Sequence, residues 1–195
     1  MNLVLIGPPG CGKGTQATRV AAAWGVPHIS TGDILRRAVA SGSMLGEAVR
    51  DSMSRGELVS DEIMTDLIAE RLADLDATEG FVLDGFPRTV EQAYALDVLM
   101  EERGRLAVVE LAVPDDELVR RLSQRKLLEG REDDEEAVVR ERLRVYHRNT
   151  QPVIDFYKRR TLLTVNGNLP PEEVTERITL AVDPVFDEYF TGNLE

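Results

Sequence analysis

Short apolar runs rich in valine, isoleucine and leucine recur at 3–6, 26–29, 81–83, 107–113 and 162–165. Runs of this length and composition predict five strands buried in a parallel sheet. Between them the spacing changes: Ile63, Met64, Leu67, Ile68, Leu72 and Leu75 recur every three or four residues, as one stripe of a helix does. Strands alternating with helices predict an α/β fold. A later stripe of Val139, Leu143, Tyr146, Thr150, Val153 and Tyr157 predicts another helix. Asp133, with Glu136 three residues on, opens it in the manner of a capping box, and Pro152 is expected to kink or restart it. No repeat or Gly/Ser linker divides the chain, so one domain is expected over 1–195; the acidic, weakly periodic end at 183–195 is expected to fray.

Composition narrows the picture. At 195 residues and 43% hydrophobic, the chain can bury one ordinary core. No segment reaches the roughly 18 consecutive apolar residues of a membrane span, and the apolar start lacks a basic lead, so a cytoplasmic protein is expected. Cys11 is the only cysteine, which excludes an internal disulfide and the paired cysteines of a structural zinc site. A net charge of −12 disfavours nucleic acid or an anionic membrane as partner. Any phosphate site must therefore be built locally.

Such a site is written at the first strand. Its end runs into Gly7-Pro8-Pro9-Gly10-Cys11-Gly12-Lys13-Gly14-Thr15, after which 16–23 has helical character. Glycines let the backbone curl so that successive N–H groups face phosphate oxygens, the following helix presents its positive end, and Lys13 adds a mobile charge. Cys11 alone reads as a small residue filling the turn. A generic phosphate loop has Ser or Thr directly after the lysine; here Gly14 intervenes, and Gly-Lys-Gly-Thr resembles the nucleoside monophosphate kinases.

Further segments carry the resemblance to adenylate kinases in particular. Ser30-Thr31-Gly32-Asp33 with Arg36 and Arg37 is similar to the family's monophosphate-binding segment, although Thr31 by itself reads as a helix cap. The third strand leads into Asp84-Gly85-Phe86-Pro87-Arg88-Thr89. An acid there suits a magnesium-bound water, Gly85 permits close approach of a ligand, and Arg88 can grip phosphate with two prongs. Thr89 and Gln92 spell a capping box; the resemblance assigns Gln92 to the adenine of AMP. Glu57-Leu58-Val59 reads as a loop, and the resemblance lays it along the same base.

Arg121 and Arg125, four residues apart, share a helix face, and Arg131 and Arg142 follow. Each could pair with neighbouring acids on a solvated face. Taken together they match the adenylate kinase pattern of arginines around both phosphate chains. The resemblance spans nearly the whole chain and implies a three-layer P-loop fold, with a helical monophosphate-binding insertion at about 30–59 and a short lid at about 126–132. It implies Lys13, Arg36, Arg88, Arg125, Arg131 and Arg142 as catalytic residues. Gly10 to Thr15, Arg121, Arg125 and Leu169 would bind ATP. Thr31, Arg36, Glu57 to Val59, Gly85 to Arg88, Gln92, Arg131 and Arg142 would bind AMP. Asp84 and Asp33 would hold magnesium through water.

The reaction so implied is reversible transfer from Mg-ATP to AMP giving two ADP; phosphoryl transfer needs no general base, the missing cysteines leave no zinc in the lid, and a monomer is the default expectation. A UMP/CMP kinase would share the phosphate loop and differ in the acceptor pocket. A non-catalytic nucleotide-binding regulatory module would have no use for so many arginines aimed at phosphate. His28, His147, Trp24, Phe156 and Tyr157 are expected to be structural.

Overall fold

The computed structural model describes residues 1–160 and 162–187. Five strands, β1 (Asn2–Ile6), β2 (His28–Ser30), β3 (Phe81–Asp84), β4 (Leu106–Ala112) and β5 (Leu162–Asn166), form one sheet in the order β2-β3-β1-β4-β5, and every pairing is parallel. The second strand starts later than its apolar run suggests. Gly25 closes the preceding helix in a left-handed conformation, and the Val26 N–H returns to Ala21 O at 3.1 Å, so Val26 belongs to that helix end.

The α-helices are α1 (Lys13–Trp24), α2 (Thr31–Ser41), α3 (Met44–Ser54), α4 (Asp61–Leu72), α5 (Val90–Met100), α6 (Asp115–Glu129), α7 (Glu136–Val145), α8 (Gln151–Lys158) and α9 (Pro171–Asp187). Strand side chains alternate between two cores. Val4, Ile6 and Leu83 face α4, α5 and α8, whereas Leu3, Leu5, Val82 and Val109 face α1, α6 and α9. The expected layers of helix, sheet and helix are thus present.

Three local expectations need correction. Leu75, counted in the α4 stripe, lies past the helix end in a short 3-10 turn and is 90% exposed. Lys126 to Glu129, expected in the lid, continue α6 until Gly130 caps it in a left-handed conformation. The stripe from Val139 to Tyr157 does point inward, but through a π-helical turn, Tyr146–Thr150, between α7 and α8. There the Gln151 N–H reaches Tyr146 O, and Pro152, which has no N–H, falls in the first turn of α8, where none is required. Of the acidic end, 183–187 completes α9, and 188–195 lies outside the described residues.

Candidate active site

The phosphate loop joins β1 to α1. Gly7 (φ 147°) could not carry a side chain, since a Cβ would come within 2.8 Å of both Cys11 Sγ and Leu111 O; Gly12 (φ 98°) opens α1 from the left-handed region. Lys13 folds over its own loop, donating to Gly7 O at 2.8 Å and Pro8 O at 2.9 Å. Cys11 is buried, and burial pushes its thiol pKa up, as suits a residue filling the turn.

The loop opens on a cleft of about 760 Å³ at the carboxyl ends of the strands. Gly10 to Thr15, Arg121, Arg125, Arg131 and Leu169 all line it. Asp84, at the end of β3, stands 3.6 Å from where a Cβ on Gly14 would be, directly beside the loop, with His28 Nε2 3.9 Å from its Oδ2. Arg121 donates to Gly167 O at 3.0 Å and Asn168 Oδ1 at 3.1 Å, tying α6 to the turn that carries Leu169. Hydrogen bonds from Arg120 and Arg121 hold Glu117 down at about 2.

A smaller recess of about 80 Å³ adjoins the cleft, lined by Thr31, Glu57, Leu58, Val59 and Gln92 among others. Arg36, Arg88 and Arg142 line both spaces. Gly85 and Pro87 face the cleft, whereas Phe86, expected at the AMP site, is fully buried in the core and lines neither space; the Phe86–Pro87 peptide is cis. The cap of α2 is Ser30, whose hydroxyl accepts from the Asp33 N–H at 3.3 Å. Thr31, for which a cap role stood open, instead donates to Asp84 O at 3.3 Å and is buried against β3. Thr89 caps α5, accepting from the Gln92 N–H at 3.2 Å, but the Gln92 side chain reaches back one residue farther than a capping box requires, to the Arg88 N–H at 2.8 Å.

The arginines gather on two adjacent acids that sequence reading assigned no site role. Asp134, its side chain wholly buried, accepts from Arg125 at 2.6 and 2.7 Å and from Arg142 at 2.9 Å. Asp133 accepts from Arg131 at 3.2 Å and Arg142 at 3.0 Å, with Arg36 at 3.8 Å. Asp133 therefore caps nothing: Glu135 holds the cap position of α7 without a side-chain bond. An acid just before a helix looks like a cap in sequence, and no local signal separates it from one recruited by distant guanidiniums. Expected pairing with neighbouring acids does occur, in a shared cluster on the cleft wall; Arg120 with Glu117 is the solvated case.

Electrostatics within the cluster are taut. Burial would raise Asp133, but the Arg131 hydrogen bond and the charges of Arg142 and Arg36 win, holding it at about 2. Burial pushes Arg142 down to about 10 against the pull of Asp133, and pushes Arg88 down as well. Asp33 is lowered because its bond to Arg36 outweighs partial burial. Guanidiniums crowded this way would gain from an incoming phosphate chain, which carries more negative charge than two carboxylates. Among the described residues, no group of three or more His, Cys, Asp or Glu gathers in a way that could hold a metal ion.

The family model described as adenylate kinase matches residues 5–162. The chain belongs to the adenylate kinase family. Its relatives include a protein named adenylate kinase from Xanthomonas euvesicatoria pv. vesicatoria, 51% identical over 185 residues that cover 93% of this chain and 99% of the relative. Another of that name, from Trichodesmium erythraeum, is 48% identical over 193 residues, covering 95% and 99%. A third, from Archaeoglobus fulgidus, is 41% identical over 215 residues, covering 95% and 99%. Adenylate kinases are phosphotransferases, and this agreement favours that reading over a pyrimidine nucleotide kinase or a regulatory module.

Proposed function

We propose that the protein transfers the terminal phosphoryl group of Mg-ATP to AMP, reversibly, giving two ADP. One observation carries the reading: Arg36, Arg88 and Arg142 line both the large cleft and the small recess, where two phosphate chains would meet end to end. ATP would lie in the cleft, its phosphates on the loop amides and on Lys13 once that ammonium leaves Gly7 O and Pro8 O. Arg121 and Leu169 would flank its base. AMP would enter the recess, with Thr31, Glu57, Leu58, Val59 and Gln92 around the base and Arg36 and Arg88 on its phosphate.

Magnesium would arrive with the triphosphate as part of the substrate. Asp84, beside the loop, would offer a carboxylate oxygen that accepts a hydrogen bond from a magnesium-bound water, and Asp33 lines the same cleft from α2. A loose, metaphosphate-like transition state needs positioning and charge rather than a base. Arg125, Arg131 and Arg142 supply the charge, already oriented by Asp133 and Asp134, so little reorganisation is needed at the moment of transfer. Because water competes as acceptor, the recess and the brief turn at 130–135 would close before transfer. An acidic chain whose single cysteine is buried supports a cytoplasmic setting and monomeric action.

Purified protein mixed with ADP and magnesium should produce ATP and AMP, resolved by chromatography; absence of both would remove the enzyme reading. Offering AMP, CMP and UMP as acceptors in the same assay tests the base, and faster turnover with CMP would overturn the adenine assignment.

A further inference from the structure

Gln92 is 1% exposed at the wall of the small recess, and two neighbours determine which way its carboxamide faces. On one side stands the Arg88 main-chain N–H, which can only donate, so the atom opposite it must be Oε1; the separation is 2.8 Å. On the other stands Asp61 Oδ1, which accepts from Gln92 Nε2 at 2.8 Å and from the Thr89 hydroxyl at 3.0 Å. A carboxylate can only accept, so the atom facing it must be nitrogen. Both neighbours therefore impose the same orientation. Asp61 opens α4 and stands behind Gln92, outside the lining of the recess.

A carboxamide has two N–H groups and two lone pairs on oxygen. With one of each engaged behind it, Gln92 keeps one acceptor site and one donor for a ligand, side by side and in fixed order. We propose that Asp61 is a specificity-determining positioning residue: by locking the Gln92 carboxamide, it makes the recess complementary to a base edge with an exocyclic amino group beside an unprotonated ring nitrogen. The edge of adenine has that order. A carbonyl beside a ring N–H, as in hypoxanthine or uracil, meets acceptor with acceptor and donor with donor, leaving buried polar groups unpaired. The proposal rests on the reading of the recess as the AMP site.

Inosine 5′-monophosphate is the probe, since it differs from AMP at that edge alone. Replacing Asp61 by asparagine lets residue 61 offer either a donor or an acceptor, so that the Arg88 N–H alone is left to hold the Gln92 carboxamide in its orientation. For Asp61→Asn, the ratio of kcat/KM for AMP to that for inosine monophosphate is expected to fall about tenfold, the effect of one misdirected hydrogen bond. The KM for ATP should stay unchanged, which a general loosening of the fold would not allow. Asp61→Ala should lower the ratio too and carries the test if the asparagine variant does not fold. A wild-type preference for AMP that persists undiminished in both variants would overturn the proposal alone. Equal use of the two monophosphates by the wild type would overturn the AMP reading, and this proposal with it.

Discussion

Arg88 is held at every polar point of its main chain. Its N–H donates to Gln92 Oε1 at 2.8 Å, its carbonyl accepts from the Thr150 hydroxyl at 2.9 Å, and its Nε donates to Gly85 O at 2.8 Å. A side chain aimed so firmly into a shared cleft should act on the transferring group. Arg88→Ala is expected to lower kcat on the order of a thousandfold, with the far-UV circular dichroism unchanged. A rate like that of the wild type would reduce Arg88 to a packing residue. Asp133 has a different signature. Its carboxyl sits near 2 in the folded protein against 3.8 ordinarily, so its contribution to stability is present above pH 3.8 and lost as pH falls through about 2. Melting temperatures of wild type and Asp133→Asn should differ at pH 6 and converge between pH 4 and 2; a constant gap would mean that the carboxylate charge is not what stabilises.

Among elements, the contact between α2 and α3 depends on a missing side chain. Gly46, buried in α3, lies so close to α2 that a Cβ on it would come within 2.1 Å of Ala38 O. In an open helix, glycine to alanine stabilises by about 1 kcal/mol. Here the sign should reverse: Gly46→Ala forces two backbones apart and is expected to destabilise by about 1–3 kcal/mol in urea unfolding, as overpacking does. Because α2 carries Thr31 and Arg36, the same variant should raise the KM for AMP more than that for ATP. Ser30, Ser43 and Ser60 cap α2, α3 and α4 with hydroxyls that accept from the N–H three residues on, so these helices start where local chemistry directs. The π-helical turn obeys no such local rule. It suits the tertiary demand that Thr150 reach Arg88 while Tyr146, Val153 and Tyr157 all stay buried.

For the molecule as a whole, arginines drawn from α2, the Arg88 loop, α6, the 130–135 turn and α7 form one surface only in the folded state. Ligands that neutralise them should therefore stabilise the fold. Magnesium ADP at a hundredfold over its Kd is expected to add about 2.7 kcal/mol, which for a chain of this size raises the Tm by about 5–10 °C in a thermal melt. The same ligand on Arg88→Ala should give a smaller rise. An equal rise in both would place the bound nucleotide away from that arginine.

What the sequence determined by itself was local. A five-strand parallel sheet, the glycine loop with Lys13, the acid at the end of β3 and the run to Arg88 all follow from neighbours in the chain, because strand burial, left-handed glycines and a strand-to-helix phosphate loop are short-range devices. Tertiary structure alone decided what the acids do. Asp133 reads as a cap and nothing in the sequence marks Asp61, yet one binds Arg131, Arg142 and Arg36 and the other orients Gln92 from 31 residues away. The side chain of a short carboxylate is equally at home at a helix start or against a guanidinium. Only the folded chain, which brings these donors to between 2.8 and 3.8 Å and withdraws water from between them, settles which partner it takes.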